Sequence, residues 1–242
     1  MPSPLLSIII PAFNEEIRII NSLIKIENYM KKMLFNWEVL IINDGSTDNT
    51  ENILNEWIKD RDNFKVKTIK HQGKGGAIKY GILNSHSKYQ FMCDADLSMP
   101  IERLSEFLTK MKEGYQIVIG SRQKIGARRF NESNIRHISG RIFNFLIKSI
   151  LVKQIEDTQC GFKCFNTTIA KKLFNLQQIN GFAFDVEILF LAQKNNVEIF
   201  ELPIDWHHND KSKVRIFLDP ILMSRDIFFI LINNIKKKYP LI

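Results

Sequence analysis

The chain has 242 residues, enough to bury a substantial core as one large α/β domain. With 45% hydrophobic and 25% charged residues it is neither a disordered chain nor a fibre. Lys and Arg number 34 against 26 Asp and Glu, and the resulting +8 favours anionic partners: nucleic acid, an acidic membrane surface or phosphorylated substrates.

Cys93, Cys160 and Cys164 are odd in number and lack CxxC spacing, which argues against a disulfide framework or zinc site and for a reducing compartment. Residues 1–6 lack the basic start and apolar stretch of a signal peptide. No segment approaches the ~18 uninterrupted apolar residues of a membrane span. The longest candidate, 227–232, is too short. The expectation is a chain that does not cross a membrane but whose basic, apolar surface suits lying on one.

In chain order, residues 6–10 form a short, nearly continuous apolar run, as in a strand buried on both faces of a parallel sheet. It ends at Pro11, and residues 15–33 then carry apolar side chains at helical spacing. Residues 37–42 read as a second buried strand, followed by the turn-rich Asn43-Asp44-Gly45-Ser46-Thr47-Asp48 and a helix over 49–58. Strand patterns recur over 64–69, 89–93 and 115–119; between them lie a glycine-rich turn entering a helix (73–85) and a helix over 101–111 begun by Pro100. This alternation predicts a doubly wound parallel sheet. In such sheets ligands bind beyond the carboxyl ends of the strands. Asn14-Glu15, Asp44-Gly45 and Asp94-Ala95-Asp96 each follow a strand, so three polar clusters should meet on one rim.

The second half is less regular. Residues 126–134 read as a mobile basic loop, 135–152 as a helix apolar over much of its surface, and 157–165 as a short extended piece. A helix over 184–194, a strand over 197–206, a Lys-rich loop and a last helix over 220–237 complete the chain. Neither an internal repeat nor a linker divides it.

Asp94-Ala95-Asp96 is the central chemical signal. Two carboxylates at i and i+2 after a strand can both reach a hard divalent cation that also takes oxygens from a diphosphate. A DxD by itself is usually a surface turn; this one sits on the same rim as the other clusters. Asp44 is either a helix-capping turn residue or an acceptor for a base or ribose, with Gly45 letting backbone approach closely. Gly73-Lys74-Gly75-Gly76-Ala77 before a helix offers N–H groups and a Lys to an anion, but matches neither the Walker pattern nor GxGxxG.

Ile10-Pro11-Ala12-Phe13-Asn14-Glu15-Glu16, Asn43-Asp44-Gly45-Ser46, the Gly-Lys-Gly-Gly-Ala turn and Asp94-Ala95-Asp96 occur in the order seen in family 2 glycosyltransferases. Gly120-Ser121-Arg122, Asp157-Thr158-Gln159-Cys160-Gly161-Phe162-Lys163 and Phe184-Asp185-Val186-Glu187 resemble the dolichyl-phosphate β-glucosyltransferases and related enzymes that load polyprenyl phosphates. The resemblance spans residues 7–230 and implies a GT-A fold: a Rossmann-like, mostly parallel α/β sheet flanked by helices, with acceptor-side helices toward the C-terminus. Within this single domain, residues 1–122 would bind the nucleotide sugar and 123–242 the acceptor.

The resemblance further implies an inverting hexose transfer, from UDP-glucose, to a polyprenyl or dolichyl phosphate. Pro11, Ala12, Asn14, Glu15, Asp44, Gly45 and Lys74 would hold the donor, and Asp94, Ala95 and Asp96 a Mg²⁺ or Mn²⁺ ion with the diphosphate. Lys213, in Ser212-Lys213, would meet phosphate as its loop closes, and Arg122, Arg128, Arg129, Arg136 and Arg141 lie where acceptor phosphate and lipid would be met; the other reading of these arginines is a solvated basic face. This chain departs from the family at Asn43 (usually Asp), Phe182 (usually Trp) and Lys211 (usually Gly).

A phosphate monoester has a second pKa near ~6 and is already nucleophilic at neutral pH. It needs cations rather than a base, whereas a hydroxyl acceptor would need Asp185 or Glu187 as base. With a lipid phosphate these two would bind sugar hydroxyls or hold the fold, and Asp157 divides likewise between sugar contact and loop brace. His207-His208 reads as a polar strand end rather than a metal pair, because adjacent strand residues point apart. Cys160 and Cys164 read as packing residues.

Other readings stay open: another nucleotide sugar such as GDP-mannose, a hydroxyl acceptor, or a non-catalytic nucleotide-sugar-binding protein. No aromatic-interleaved basic patch or nucleic-acid motif is present, so nucleic acid is not the expected partner. The expected location is the cytoplasm, peripheral on a membrane, with a second copy of the chain or a membrane protein as further partners.

Overall fold

Seven strands form one sheet in the order β3-β2-β1-β4-β7-β5-β8. The computed structural model describes residues 3–130, 151–207 and 218–242. In chain order the elements are β1 (Leu6–Ala12), α1 (Ile19–Met30), β2 (Trp37–Asn43), α2 (Thr50–Trp57), β3 (Phe64–Thr68), α3 (Lys74–Asn84), β4 (Tyr89–Met92), a 3₁₀ turn at Ile101–Arg103, α4 (Leu104–Lys112), β5 (Ile117–Ser121), β6 (Arg128–Phe130), β7 (Lys163–Asn166), α5 (Thr167–Leu176), α6 (Phe184–Lys194), β8 (Ile199–Pro203), β9 (Asp205–His207) and α7 (Leu218–Ile235).

β1 shows why the sheet is buried on both faces. Ile8 and Ile10 pack into the layer of α1, α2 and α4, against Leu23, Leu54 and Phe107. Ile9, pointing the opposite way, packs with Ala77, Ile82 and Phe184 in the layer of α3, α5 and α6. Side chains of α7, Met223 and Ile230, complete that second layer. The product is a helix–sheet–helix sandwich whose parallel strands β1, β2 and β4 end side by side.

The sheet is mostly parallel, as expected, with one exception. The extended piece read over 157–165 becomes β7, shifted to Lys163–Asn166 and running antiparallel between β4 and β5. The strand read over 197–206 is two: β8 pairs with β5, and β9 leaves the sheet to pair with β6.

That pairing corrects the reading of 126–134 as a mobile loop. Residues 128–130 are a strand, pinned to β9 by backbone register and by Arg128, whose guanidinium donates to both oxygens of Asp205 at 3.1 and 2.8 Å. α5 was not foreseen. Its signals are Asn166, which accepts a hydrogen bond from the Thr168 N–H at 3.0 Å as an N-cap, and Ala170, Leu173 and Phe174 at helical spacing on the buried face. The helix expected over 135–152 lies almost wholly outside the described residues, as do Arg136, Arg141, His208, Lys211, Ser212 and Lys213. Among the described residues no helix is long and apolar enough to cross a membrane.

Candidate active site

The carboxyl ends of β1, β2 and β4 bring Asn14-Glu15, Asp44-Gly45 and Asp94-Ala95-Asp96 onto one rim, with the turn before α3 beside them. Asn14, at φ 54°, braces the rim: its Oδ1 accepts the Thr47 N–H at 2.7 Å, and its own N–H donates to Ser46 Oγ at 2.9 Å. The Glu15 N–H donates to Thr50 Oγ1 at 2.7 Å, and its buried carboxylate pairs with Arg18.

Asp44 does not cap a helix. Asp48, one residue before the N-cap Asn49 of α2, accepts the Thr50 N–H on its carboxylate at 3.0 Å. Asp44 is buried, and its carboxylate accepts the Gln72 and Gly73 N–H groups, both at 2.8 Å, so it staples the end of β2 to the turn before α3. His71 Nδ1 lies 2.9 Å from Asp44 Oδ2, and the His71 ring sits 4.4 Å from that of Phe13. Gly45, at φ 67°, allows this closeness: a Cβ there would fall 2.9 Å from the His71 backbone nitrogen. Pro11 and Ala12 are the last residues of β1, and the Ala12 carbonyl accepts the Asp44 N–H at 2.8 Å.

At the end of β4, Lys74 Nζ is 2.6 Å from Asp94 Oδ1. Burial works to raise the Asp94 pKa, but the charge and hydrogen bond of Lys74 outweigh it and hold the carboxyl below its usual range. Asp96 shifts upward, through burial and then the charge of Asp94. It retains the Ser98 N–H at 3.1 Å and an ion pair with Arg18 at 3.7 Å. Leu97 just beyond has φ 44°, a backbone conformation that branched side chains rarely adopt and that gathers at functional sites.

The late motifs come up beneath this site. Gly161 lies against Asp94 so closely that a Cβ would land on the carboxylate. Asp157 is fully buried and accepts the Arg122 N–H at 2.9 Å and its guanidinium at 2.7 and 2.9 Å. Burial raises the Asp157 pKa and Arg122 more than reverses this, to about 2. Asp157 is therefore a loop brace, with Arg122 its partner and the Trp206 ring 5.7 Å beyond. Lys163 donates to Asp185 Oδ1 at 2.5 Å and to the Cys160 carbonyl at 2.6 Å.

Glu187 is wholly buried and accepts the Gln178 and Ile179 N–H groups at 2.9 Å each, and the Tyr239 hydroxyl at 2.5 Å, so it holds the fold. His207 ends β9 and stacks on Phe130, ring centroids 4.6 Å apart. Cys93, Cys160 and Cys164 are buried and unbridged. Arg129 Nε donates to the Arg122 carbonyl at 3.0 Å.

Sequence reasoning passed over Arg18, His71 and the role of Lys163. Arg18 had one local cue, Glu15 three residues before it. His71 and Lys163 had none, since their partners are distant in sequence.

The model of the family described as glycosyl transferase family 2 matches residues 7–174. The chain belongs to that family. Like its other members it is a glycosyltransferase, and its sheet flanked by helices is the GT-A fold. It is 38% identical, over 92% of its length and 72% of the relative's, to the dolichyl-phosphate beta-glucosyltransferase of Dictyostelium discoideum. The human protein of the same name is 32% identical over 95% of this chain and 75% of its own. Among solved structures, glucosyl-3-phosphoglycerate synthase from Mycobacterium tuberculosis in complex with UDP superposes with a TM-score of 0.68 over 95% of this chain and 79% of its own, at 18% identity. The same enzyme with Mn²⁺, UDP-glucose and phosphoglyceric acid gives 0.67 at 17% identity, over the same shares of the two chains. At that identity the likeness is one of fold.

Proposed function

We propose that this family 2 enzyme transfers glucose from UDP-glucose to a dolichyl or polyprenyl phosphate, with inversion at the sugar carbon, on the cytoplasmic face of a membrane. The observation that carries the reading is the 38% identity to a dolichyl-phosphate beta-glucosyltransferase across 92% of the chain, joined to an intact Asp44–Lys74–Asp94–Asp96 rim.

The rim suits a divalent cation. Asp94 and Asp96 supply hard oxygen donors at the mouth of the sheet, and a shared cation would relieve the burial and then the mutual repulsion that push the Asp96 carboxyl up. Mg²⁺ or Mn²⁺ held there would offset the charge that grows on the departing nucleoside diphosphate.

The chain's own residues do the rest. Asp44, fixed by the Gln72 and Gly73 amides, bears on the nucleoside, with Phe13 and His71 as rings beside it. Lys74, on the first turn of α3, meets the diphosphate at a helix N-terminus. Asp185 is engaged by Lys163, which suits an acceptor phosphate that needs no general base. Arg122 and Asp157 brace the acceptor side, and Lys213 would approach from its loop.

The isoprenoid chain of the acceptor would lie in the groove of about 430 Å³ between α7 and residues 178–182, lined by Phe182, Leu222, Met223 and Phe229. That groove borders the site: the Asn180 carbonyl accepts the Gly76 N–H, and Gln159 Nε2 lies 3.6 Å from Met223 Sδ. Exposed Phe228 and Lys236, Lys237 and Lys238 extend the face toward a membrane.

The test is incubation with radiolabelled UDP-glucose, GDP-mannose and UDP-N-acetylglucosamine, each with dolichyl phosphate and Mg²⁺ or Mn²⁺. The expected product is a glucosyl phospholipid from UDP-glucose alone. Transfer only to a free hydroxyl acceptor would refute the phosphate-acceptor reading.

A further inference from the structure

Each carboxylate of Asp94-Ala95-Asp96 faces a cation supplied by the chain itself. Lys74 Nζ is 2.6 Å from Asp94 Oδ1, and Arg18 Nη1 is 3.7 Å from Asp96 Oδ2. The two come from opposite layers, Lys74 from the first turn of α3 and Arg18 from the residue before α1. The neighbouring charges are paired elsewhere: Arg122 with Asp157, and Lys163 with Asp185. Arg18 also shares its guanidinium with Glu15.

Asp94, Asp96 and Glu15 oppose Lys74 and Arg18, leaving one net negative charge among these residues. A divalent cation arriving alone would turn that balance positive, and would share a carboxylate with an ammonium 2.6 Å from its oxygen. A nucleoside diphosphate arriving with it brings anionic oxygens that cancel the excess and offer the ammonium a second partner. Lys is suited to the exchange, as a point charge on a flexible stem whose head can swing from one oxygen to another.

We propose that Lys74 is a placeholder cation: it holds Asp94 while the donor site is empty and moves to the diphosphate when donor arrives, so that divalent cation and nucleoside diphosphate load together. Arg18 supports the same exchange at Asp96 more weakly, across a longer gap and with Glu15 as a standing partner. The inference rests on Asp94 and Asp96 being the cation site.

The experiment measures Mn²⁺ binding to the full chain by calorimetry or electron paramagnetic resonance, without nucleotide, with UDP and with GDP. Wild type should bind Mn²⁺ at least about tenfold more tightly with its cognate nucleotide than alone; Lys74→Met should bind Mn²⁺ alone about tenfold more tightly than wild type, so that the enhancement shrinks. Lys74→Arg, which keeps the cation, should keep the enhancement. Lys74→Gln serves if the Met variant does not give a cooperative melt. Unchanged nucleotide-free affinity in a folded Lys74→Met or Lys74→Gln overturns the placeholder role, as does a wild type that binds Mn²⁺ equally well with and without nucleotide. Absence of Mn²⁺ binding in every condition would instead overturn the cation-site reading on which it rests.

Discussion

Lys163 Nζ lies 2.5 Å from Asp185 Oδ1 with both side chains almost wholly buried, 1% and 4% exposed. The pair joins β7, the strand that runs against its neighbours, to the start of α6 beneath the donor rim. A buried ion pair adds little net stability, but breaking it strands a charge in a poorly solvated interior.

Lys163→Met should therefore cost on the order of 3–5 kcal/mol in urea unfolding at neutral pH. Burial pushes the Asp185 carboxyl up, with Lys163 and then Lys74 pulling it back. A carboxyl raised in the folded state favours folding at low pH and loses that contribution as pH rises through its folded pKa. The deficit of Lys163→Met should accordingly be smaller near pH ~5 than near pH ~7. Pairing Lys163→Met with Asp185→Leu should recover most of the loss. A single variant as stable as wild type would remove the pair from the architecture.

Asp157 shifts the other way. Its folded pKa of about 2, set by burial and the stronger opposing pull of Arg122, lies below the ordinary 3.8. That contribution, about 2 kcal/mol, is present above the ordinary value and lost as pH falls toward the folded one. Wild type should exceed Asp157→Asn in stability at pH ~6, and the gap should close between about pH 4 and 2. A gap independent of pH would show that the Arg122 pair carries no linked charge energy.

Asp96→Asn should lower turnover by at least about a hundredfold, the scale of losing one electrostatic stabiliser of developing charge, and leave the melting curve intact. EDTA should abolish turnover in the wild type. Turnover at the wild-type rate in EDTA would remove the divalent cation from the mechanism.

Asp44→Ala should act twice. Two backbone N–H groups, of Gln72 and Gly73, lose their acceptor, which costs about 1–3 kcal/mol of stability. Donor KM should also rise, with a smaller change in kcat, because the contact is remote from the reacting carbon. Calorimetry with UDP separates the two effects: lost stability with unchanged UDP affinity would make Asp44 a staple only.

Neutralising Lys236, Lys237 and Lys238 together should weaken a salt-sensitive attachment to anionic liposomes, and Phe229→Glu in the groove should raise the KM for dolichyl phosphate without altering UDP binding. Arg128, 70% exposed beside Asp205, and Arg129 belong to the same liposome test. Flotation with liposomes at low and high salt reads the first effect and acceptor kinetics the second. Indifference to liposomes at low salt would place the apolar face of α7 against protein instead.

The donor half was legible because its signals are local. An apolar run with β-branched residues, a turn and an amphipathic helix repeat until the strands must lie parallel, and parallel strands put their carboxyl ends on one rim. Asn14-Glu15, Asp44 and the Asp94–Asp96 pair could thus be gathered from positions after strands alone, and the bounds of α6 at residues 184–194 followed from its spacing. The acceptor half offered fewer such signals. β7 is four residues long with no alternation of its own, and only the slot between β4 and β5 sets its direction. β6 is three residues of a basic segment that becomes a strand because β9 lies beside it.

The partners of the charged residues were hidden for the same reason. Arg122 meets Asp157 across 35 positions of sequence, Lys163 meets Asp185 across 22, and Lys74 meets Asp94 across the gap between two elements. Periodicity reports which face of an element is buried. Which buried or rim charge faces which depends on how strands and helices are stacked, because the energy of an ion pair falls with distance in space and is indifferent to distance along the chain. Local spacing therefore put three polar clusters on one rim and the motifs carried the resemblance to the family, while only the packed fold decided that Arg122 braces Asp157, that Lys163 holds Asp185, and that Lys74 lies on Asp94.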